Sequence, residues 1–392
     1  MKTFQADYLY TPEGWRSGAW LTLDDRGRVL SIGSGEAPAG CQRLRGILCP
    51  GFVNAHCHLE LSALRGKIPP GSGMAGFIRT LVEQRREIPP EAFAPAAEEA
   101  LAQALAAGTA AFGDICNTGL TAELKARYPH IYFWSFLEVL GLDESQAEAR
   151  LEAALELAGH FAGHPHSLSP HAPYSLSPKL MALLAARIEK RLSVHLLESP
   201  GERELLASGG GELGELFRQM KLPLPKWPEA APLAFLGAHL PQALPWLLVH
   251  NTEIQAEEIR WLIQHTADPW FCICPRSSEY IHRRPPPAEL LMRHTDRICI
   301  GTDSLASNDR LDPFAEVCTL LEQFPQISLH QALRWATTGG AQALGLFPQL
   351  GSFEPGTAPG LLLIEEISED LKPTQHSRVS LLEKPAIPSP HA

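Results

Sequence analysis

Between residues 46 and 344 the chain alternates short strand-like apolar runs with segments of helical periodicity, and this alternation constrains the fold more than any other feature. The runs occupy 46–53, 109–115, 131–138, 167–171, 192–197, 246–250, 270–274 and 297–302. Helix-like segments stand between and after them, at 91–107, 145–162, 178–190, 256–264 and 329–344. A parallel strand pair needs a crossover, usually a helix, so β/α alternation predicts an α/β fold with parallel strands. Eight units of this kind predict a (β/α)8 TIM barrel over residues 49–345. A doubly wound open sheet is the rival, but no G-x-G-x-x-G follows an early strand.

Toward both ends the texture changes. Apolar stretches at 4–10, 15–23 and 29–33 are cut by Pro12-Glu13-Gly14 and Asp24-Asp25-Arg26-Gly27, a pattern of antiparallel hairpins. Leu350-Gly351-Ser352-Phe353, a Pro355-Gly356 turn and Leu361-Leu362-Leu363-Ile364 repeat it near the other end. The expectation is one small β-sandwich domain built from 1–48 and 346–372. Residues 373–392, polar and then proline-rich, are expected to be a flexible tail. The connections 59–76 and 209–245 follow strand ends and are candidate lids, with rigid surface linkage as the alternative.

Composition removes several function classes. With 33 Lys and Arg against 44 Asp and Glu, the formal charge of −11 repels a phosphate backbone, so no nucleic-acid partner is expected. None of the 8 cysteines falls in a C-x-x-C pair, so no disulfide framework is expected. The opening MKTFQADYLYTPEGW lacks the apolar run of a signal peptide, and no apolar stretch reaches about 18 residues. A cytoplasmic protein without a membrane partner is the expectation.

The strongest chemical signal is Asn54-Ala55-His56-Cys57-His58, at the end of the first run. Alternate residues of a strand share a side, so both imidazoles face one way and Cys57 faces the helices. Imidazole suits zinc, iron and nickel, and two of them need further ligands to complete a site. His171 ends the fourth run, His195 lies in the fifth, His250 ends the sixth and Asp303 follows the eighth. Barrel enzymes draw their chemistry from such strand ends.

These pieces resemble the amidohydrolase superfamily, in its mononuclear deaminase and chlorohydrolase branch. The matching stretches are Pro50-Gly51-Phe52-Val53-Asn54-Ala55-His56-Cys57-His58, Ser169-Pro170-His171, Val194-His195-Leu196-Leu197-Glu198, Val249-His250-Asn251, Cys274-Pro275-Arg276-Ser277 and Gly301-Thr302-Asp303-Ser304. The resemblance implies that His56, His58, His195 and Asp303 bind one divalent metal ion, with zinc first and Fe2+ also admitted. It further implies that Glu198 shuttles protons, that Asp303 accepts a proton from water, and that His250 orients that water. Binuclear relatives carry a carboxylated lysine at the fourth strand end, where this chain has Ser169-Pro170-His171, so a single ion is expected. His58-Leu59-Glu60 matches H-x-E, yet no P-C-x-x-C occurs, which excludes the cytidine-deaminase type of zinc site.

Other residues carry open alternatives. His171 reads as a substrate contact or a structural hydrogen-bonding residue. Glu60 and Glu138 read as holders of ribose hydroxyls or as loop carboxylates, and Arg276 as the partner of a substrate carboxylate or a surface ion-pair member. The stretches from His58 to Lys67 and from Gly301 to Asn308 look most like aminodeoxyfutalosine deaminases. That likeness implies hydrolysis of 6-amino-6-deoxyfutalosine, an aminopurine nucleoside, to futalosine and ammonia, in menaquinone biosynthesis. Adenosine, S-adenosylhomocysteine, methylthioadenosine, guanine and chlorinated triazines are the alternative substrates. A homodimer is among the expected assemblies, and an inert binding barrel is the remote reading.

Overall fold

The computed structural model describes residues 1–224 and 232–386. Seven short strands come first: β1 (Lys2–Gln5), β2 (Tyr8–Thr11), β3 (Gly14–Ser17), β4 (Ala19–Leu23), β5 (Val29–Ser34), β6 (Gln42–Arg43) and β7 (Ile47–Cys49). The central region supplies β8 (Phe52–Cys57), β9 (Thr109–Cys116), β10 (Tyr132–Val139), β11 (His166–Pro170), β12 (Leu192–Leu196), β13 (Pro245–His250), β14 (Asp268–Ile273) and β15 (Ile298–Ile300). Two strands close the chain, β16 (Leu361–Ile367) and β17 (Pro373–Glu383).

The central strands form two parallel sheets, ordered β11-β10-β9-β8 and β12-β13-β14-β15. Every residue of β8, β9 and β12 is buried. Strands covered on both faces lose the polar-out alternation, which explains their nearly continuous apolar runs. The sheets meet along two seams. At one, the His195 N–H donates to the His171 carbonyl at 2.9 Å and the Ser193 N–H to Ser169 Oγ at 3.1 Å. At the other, the N–H groups of Thr302 and Asp303 donate to the His56 carbonyl at 2.9 and 3.1 Å. Asn54 clamps that second seam, its Nδ2 donating to Thr302 Oγ1 at 2.8 Å and its Oδ1 accepting the Thr302 N–H at 3.1 Å. Gly301 makes the approach possible, because a Cβ there would stand 2.7 Å from His56 Cβ.

Two differences from the sequence reading affect the site. The apolar run 46–53 divides into β7, which pairs with β16 and β2, and β8, which pairs with β9. Pro50 has no N–H for a ladder, so the break falls there. The connections 59–76 and 209–245 are also more helical than expected, with helices Gly73–Glu87, Gly211–Gln219 and Pro232–His239 in or beside them. Within the second connection, residues 225–231 lie outside the described residues.

The terminal strands pair as β5-β4-β1-β6 and β17-β16-β7-β2-β3. Phe4, Leu9, Leu21, Leu48, Phe353, Leu361 and Leu363 from these segments pack in one apolar cluster. The expected flexible tail is corrected here: residues 373–383 form the eleven-residue strand β17, paired antiparallel with β16. It is the edge strand of its sheet; its first half is polar, and only Val379, Leu381 and Leu382 toward its end pack against apolar clusters, so composition hides it. Glu365 on β16 accepts hydrogen bonds from Arg378 and Ser380 across that pair. Residues 387–392 of the expected tail lie outside the described residues. No helix among the described residues is long and apolar enough to cross a membrane.

Candidate active site

The sequence-predicted histidines converge at one rim of the two parallel sheets. His56 Nε2 and His58 Nε2 lie 3.2 Å apart. Asp303 Oδ1 stands 3.4 Å from His58 Nε2 and 3.6 Å from His56 Nε2. The His195 ring lies 5.0 Å from His56 and 5.5 Å from His58, centre to centre, and His250 lies 5.5 Å from His195. His56, His58 and Asp303 offer ligand atoms within 4.8 Å of one another, as do His56, His195 and His250, so His56 joins the two triads. Cys57 points the other way, into the cluster with Ala97, Ala100 and Leu101.

Burial sets the charges. It holds His58 down at about 4 and also lowers His56, His195 and His250 from the usual imidazole range. Buried ring nitrogens therefore crowd one another across short distances, as donors around a shared cation would. For Asp303, burial alone acts upward, but the hydrogen bond and charge of His56 with the charges of His58 and His250 outweigh it and keep a carboxylate. The His195 tautomer is fixed, because its Nδ1–H donates to the His171 carbonyl at 2.9 Å and leaves the Nε2 lone pair free to bind an ion. Three imidazole nitrogens and one carboxylate oxygen form a donor set that fits one divalent transition-metal ion such as zinc.

Glu198 follows β12 and its Oε1 lies 3.5 Å from His250 Nε2. Burial, then the negative charges of Asp303 and Glu202, push its carboxyl well above the usual range, which favours its protonated form. Backbones around the rim are strained: Leu197, His250, Asn251 and Asp303 have φ of 52°, 69°, 56° and 56°. Left-handed conformations at residues with a Cβ persist only where the surroundings over-determine them, and they gather at functional sites.

A cavity of about 620 Å³ opens over this rim, lined by His58, His171, His195, Glu198, His250 and Asp303. One face of the helix Gly73–Glu87 supplies Met74, Phe77, Ile78, Leu81 and Val82 to the same cavity and ends at Arg85. Phe217 and Met220 add to the apolar lining, and Arg150 joins Arg85 as a second guanidinium. Both candidate lid connections therefore border the cavity.

The remaining expected residues separate. His171 and Glu138 line the cavity; His171 Nδ1 bonds to Ser175 Oγ at 2.8 Å, and Glu138 accepts from Asn117 Nδ2 at 2.9 Å. Burial acts upward on Glu138, but the charges of His171, His195 and His58 hold it down at about 2. Glu60 is not among the cavity residues, which favours its reading as a loop carboxylate over that as a ribose contact. Its carboxylate accepts the Asn117 N–H at 3.2 Å, the Thr118 N–H at 3.1 Å and Thr118 Oγ1 at 2.9 Å, bracing that loop. Arg276 likewise takes its ion-pair alternative: its guanidinium binds Asn308 Oδ1 at 3.0 Å and Asp309, away from the cavity lining. Reasoning from sequence missed Ser277 and Ser307, whose hydroxyls lie 2.7 and 2.6 Å from Asp303 Oδ2. Ser277 sits beside Arg276 in the quoted motif, and that position was its only signal. Arg85 and Arg150 lie in helices with no motif to mark them.

Comparison with known proteins agrees with this geometry. Residues 47–385 match the amidohydrolase family. A 5-methylthioadenosine/S-adenosylhomocysteine deaminase of Teredinibacter turnerae is 29% identical over 355 residues, covering 86% of this chain and 75% of that protein. An aminodeoxyfutalosine deaminase of Deinococcus radiodurans is 26% identical over 368 residues, covering 86% and 84%. Among solved structures, aminofutalosine deaminase of Helicobacter pylori, in complex with methylthio-coformycin, superposes with a TM-score of 0.80 at 21% identity, covering 99% of this chain and 100% of that one. A zinc-bound adenosine deaminase of Xanthomonas campestris superposes with a TM-score of 0.73 at 20% identity, covering 99% and 93%. With a family match spanning most of its length and the fold to go with it, this chain is an enzyme of the amidohydrolase family.

Proposed function

We propose that this enzyme is a metal-dependent hydrolytic deaminase of aminopurine nucleosides, and that within this class it converts 6-amino-6-deoxyfutalosine and water to futalosine and ammonia. The observation that carries the reading is a buried Glu198, 3.5 Å from His250, beside a histidine–aspartate cluster in one cavity whose walls are apolar and include two arginines. His56, His58, His195 and Asp303 would hold the divalent ion, zinc in first place and Fe2+ in second. Such an ion supplies Lewis acidity that makes water nucleophilic near neutral pH.

The residues of the chain divide the proton work. Water adds to the amino-bearing ring carbon while Asp303 takes one of its protons and His250 orients it. Glu198 gives its proton to the adjacent ring nitrogen. The C–N bond then breaks, the amine leaves as ammonia with the proton from Asp303, and Glu198 recovers a proton from the new hydroxyl as the carbonyl forms. His171 and Glu138 contact the nucleoside. The apolar wall suits an aryl group, and Arg85 and Arg150 replace Arg276 as partners for a substrate carboxylate. The same reading takes the two parallel sheets as one (β/α)8 barrel and the terminal strands as its composite β domain.

The relative from Teredinibacter keeps 5′-methylthioadenosine and S-adenosylhomocysteine as the second reading, since a methylthio group also suits an apolar wall. An ammonia-release screen of the zinc-loaded protein against aminodeoxyfutalosine, methylthioadenosine, S-adenosylhomocysteine, adenosine and guanine decides between them. Aminodeoxyfutalosine is expected to give the highest kcat/KM. Arg150→Met should raise its KM roughly 10- to 100-fold while leaving that for methylthioadenosine unchanged, the scale of one lost charge-assisted pair. Faster turnover of methylthioadenosine or adenosine would refute the finer assignment, and absence of ammonia from every compound would refute the deaminase.

A further inference from the structure

We propose that Glu202, which lies outside the cavity, is a positioning residue that holds the proton-carrying Glu198 in place by gripping the backbone on which it sits. The inference rests on the reading of Glu198 as the proton shuttle. After β12 ends at Leu196, the chain must turn sharply so that His195 and Glu198 face the same space. Leu197 makes that turn with a φ of 52°, in the left-handed region that a residue with a Cβ avoids, and it is fully buried. Such a turn needs outside support.

Glu202 supplies it from the first turn of the next helix, Pro200–Ser208. Ser199 caps that helix and accepts the Glu202 N–H. Ser199-Pro200-Gly201-Glu202 thus has the spacing of a capping box, in which the glutamate reaches back to the N–H of the cap residue itself. Here the carboxylate goes further back. Its Oε2 accepts the Glu198 N–H at 2.9 Å, on the residue that directly follows Leu197. The glutamate therefore secures the strained turn instead of its own helix end.

The placement is costly in other respects, which argues against incidental packing. Glu202 is completely buried, and its Oε1 has no hydrogen-bond partner among the described residues. The adjacent Arg203 binds Glu258 and the Glu253 carbonyl. Burial pushes the Glu202 carboxyl up to about 7, against the pull of the backbone N–H it accepts. A buried carboxyl that bonds only the turn carrying Glu198 has one evident use, to fix where that side chain starts.

Full-length, zinc-loaded Glu202→Ala, Glu202→Gln and Glu202→Asp variants test this, with ammonia release from methylthioadenosine and aminodeoxyfutalosine, bound metal and thermal midpoint measured on each. Glu202→Ala is expected to lower kcat about 100-fold, within the range seen when a proton-transfer group loses its geometry, with KM moving less than about threefold and metal content unchanged. Glu202→Gln, which keeps an acceptor oxygen at the same reach, should recover kcat to within about tenfold of the parent. Glu202→Asp, charged but one methylene shorter, should recover less than Glu202→Gln. If Glu202→Ala does not fold, this order of Gln above Asp carries the test alone. Unchanged kcat in Glu202→Ala, a loss of kcat that only tracks lost metal, or Asp above Gln would overturn the positioning role. A Glu198→Gln control separates the two ideas, because turnover surviving there overturns the shuttle reading itself.

Discussion

At Asp303 the two carboxylate oxygens face different neighbours. Oδ1 turns to His56 and His58, while Oδ2 takes the hydroxyls of Ser277 and Ser307 at 2.7 and 2.6 Å. Hydrogen bonds on the far oxygen leave the near one free for a ligand and fix its direction, as outer partners of metal-binding carboxylates do. Removing one of these hydroxyls frees the carboxylate to rotate. Ser277→Ala should therefore cost roughly 10- to 100-fold in metal affinity or kcat, read by chelator competition and steady-state kinetics. A variant indistinguishable from the parent in both would show that Ser307 alone orients the group.

Helix Pro313–Gln323 explains why Arg276 serves structure. Asp312 caps it, accepting the N–H groups of Phe314 and Ala315, and so brings Glu316 in the first turn beneath the Arg276 backbone. Glu316 is completely buried; its Oε2 accepts the Arg276 N–H at 2.9 Å and its Oε1 accepts Asn308 Nδ2 at 2.7 Å. Burial pushes its carboxyl up to about 8 from 4.5. A folded-state pKa above the unfolded one means the folded state binds the proton more tightly. Its contribution to stability is then full below about 4.5 and is lost as pH rises through about 8. Glu316→Gln, which cannot ionise, should be less stable at pH 5 by about 1 kcal/mol, because its amide NH2 opposes one donor. Between pH 5 and 8.5 its thermal midpoint should fall less than that of the parent, and parallel curves would show that Glu316 does not ionise in this range.

Across the whole molecule, the candidate ligands come from both sheets: His56 and His58 from the end of β8, His195 from β12, and Asp303 from just beyond β15. An ion held by them ties the seam that Asn54 and Thr302 also close. Binding to the folded state alone stabilises it by about 4 kcal/mol when free ion exceeds Kd about 1,000-fold. Stripping the protein with a chelator should lower the thermal midpoint by several degrees, on the order expected for such a loss. Zinc should restore it, and a midpoint indifferent to chelator and zinc would argue against the site.

What the sequence determined by itself was whatever depends on near neighbours along the chain. Strand and helix periods are local, so the β/α alternation was legible, and a strand end marks one side of a sheet, so His56, His58, His195, His250 and Asp303 were legible as a set. The edge strand β17 was not, because its first half, Pro373 to Arg378, is polar and its few apolar residues come late. Only the tertiary structure decided the fates of Glu60 and Arg276. Their partners arrive from 57 and 40 residues away, at Asn117 and Glu316, and a hydrogen bond between distant segments has no period to read. The same holds for the grip of Glu202: its spacing spells a helix cap, and the left-handed turn at Leu197 is what redirects it.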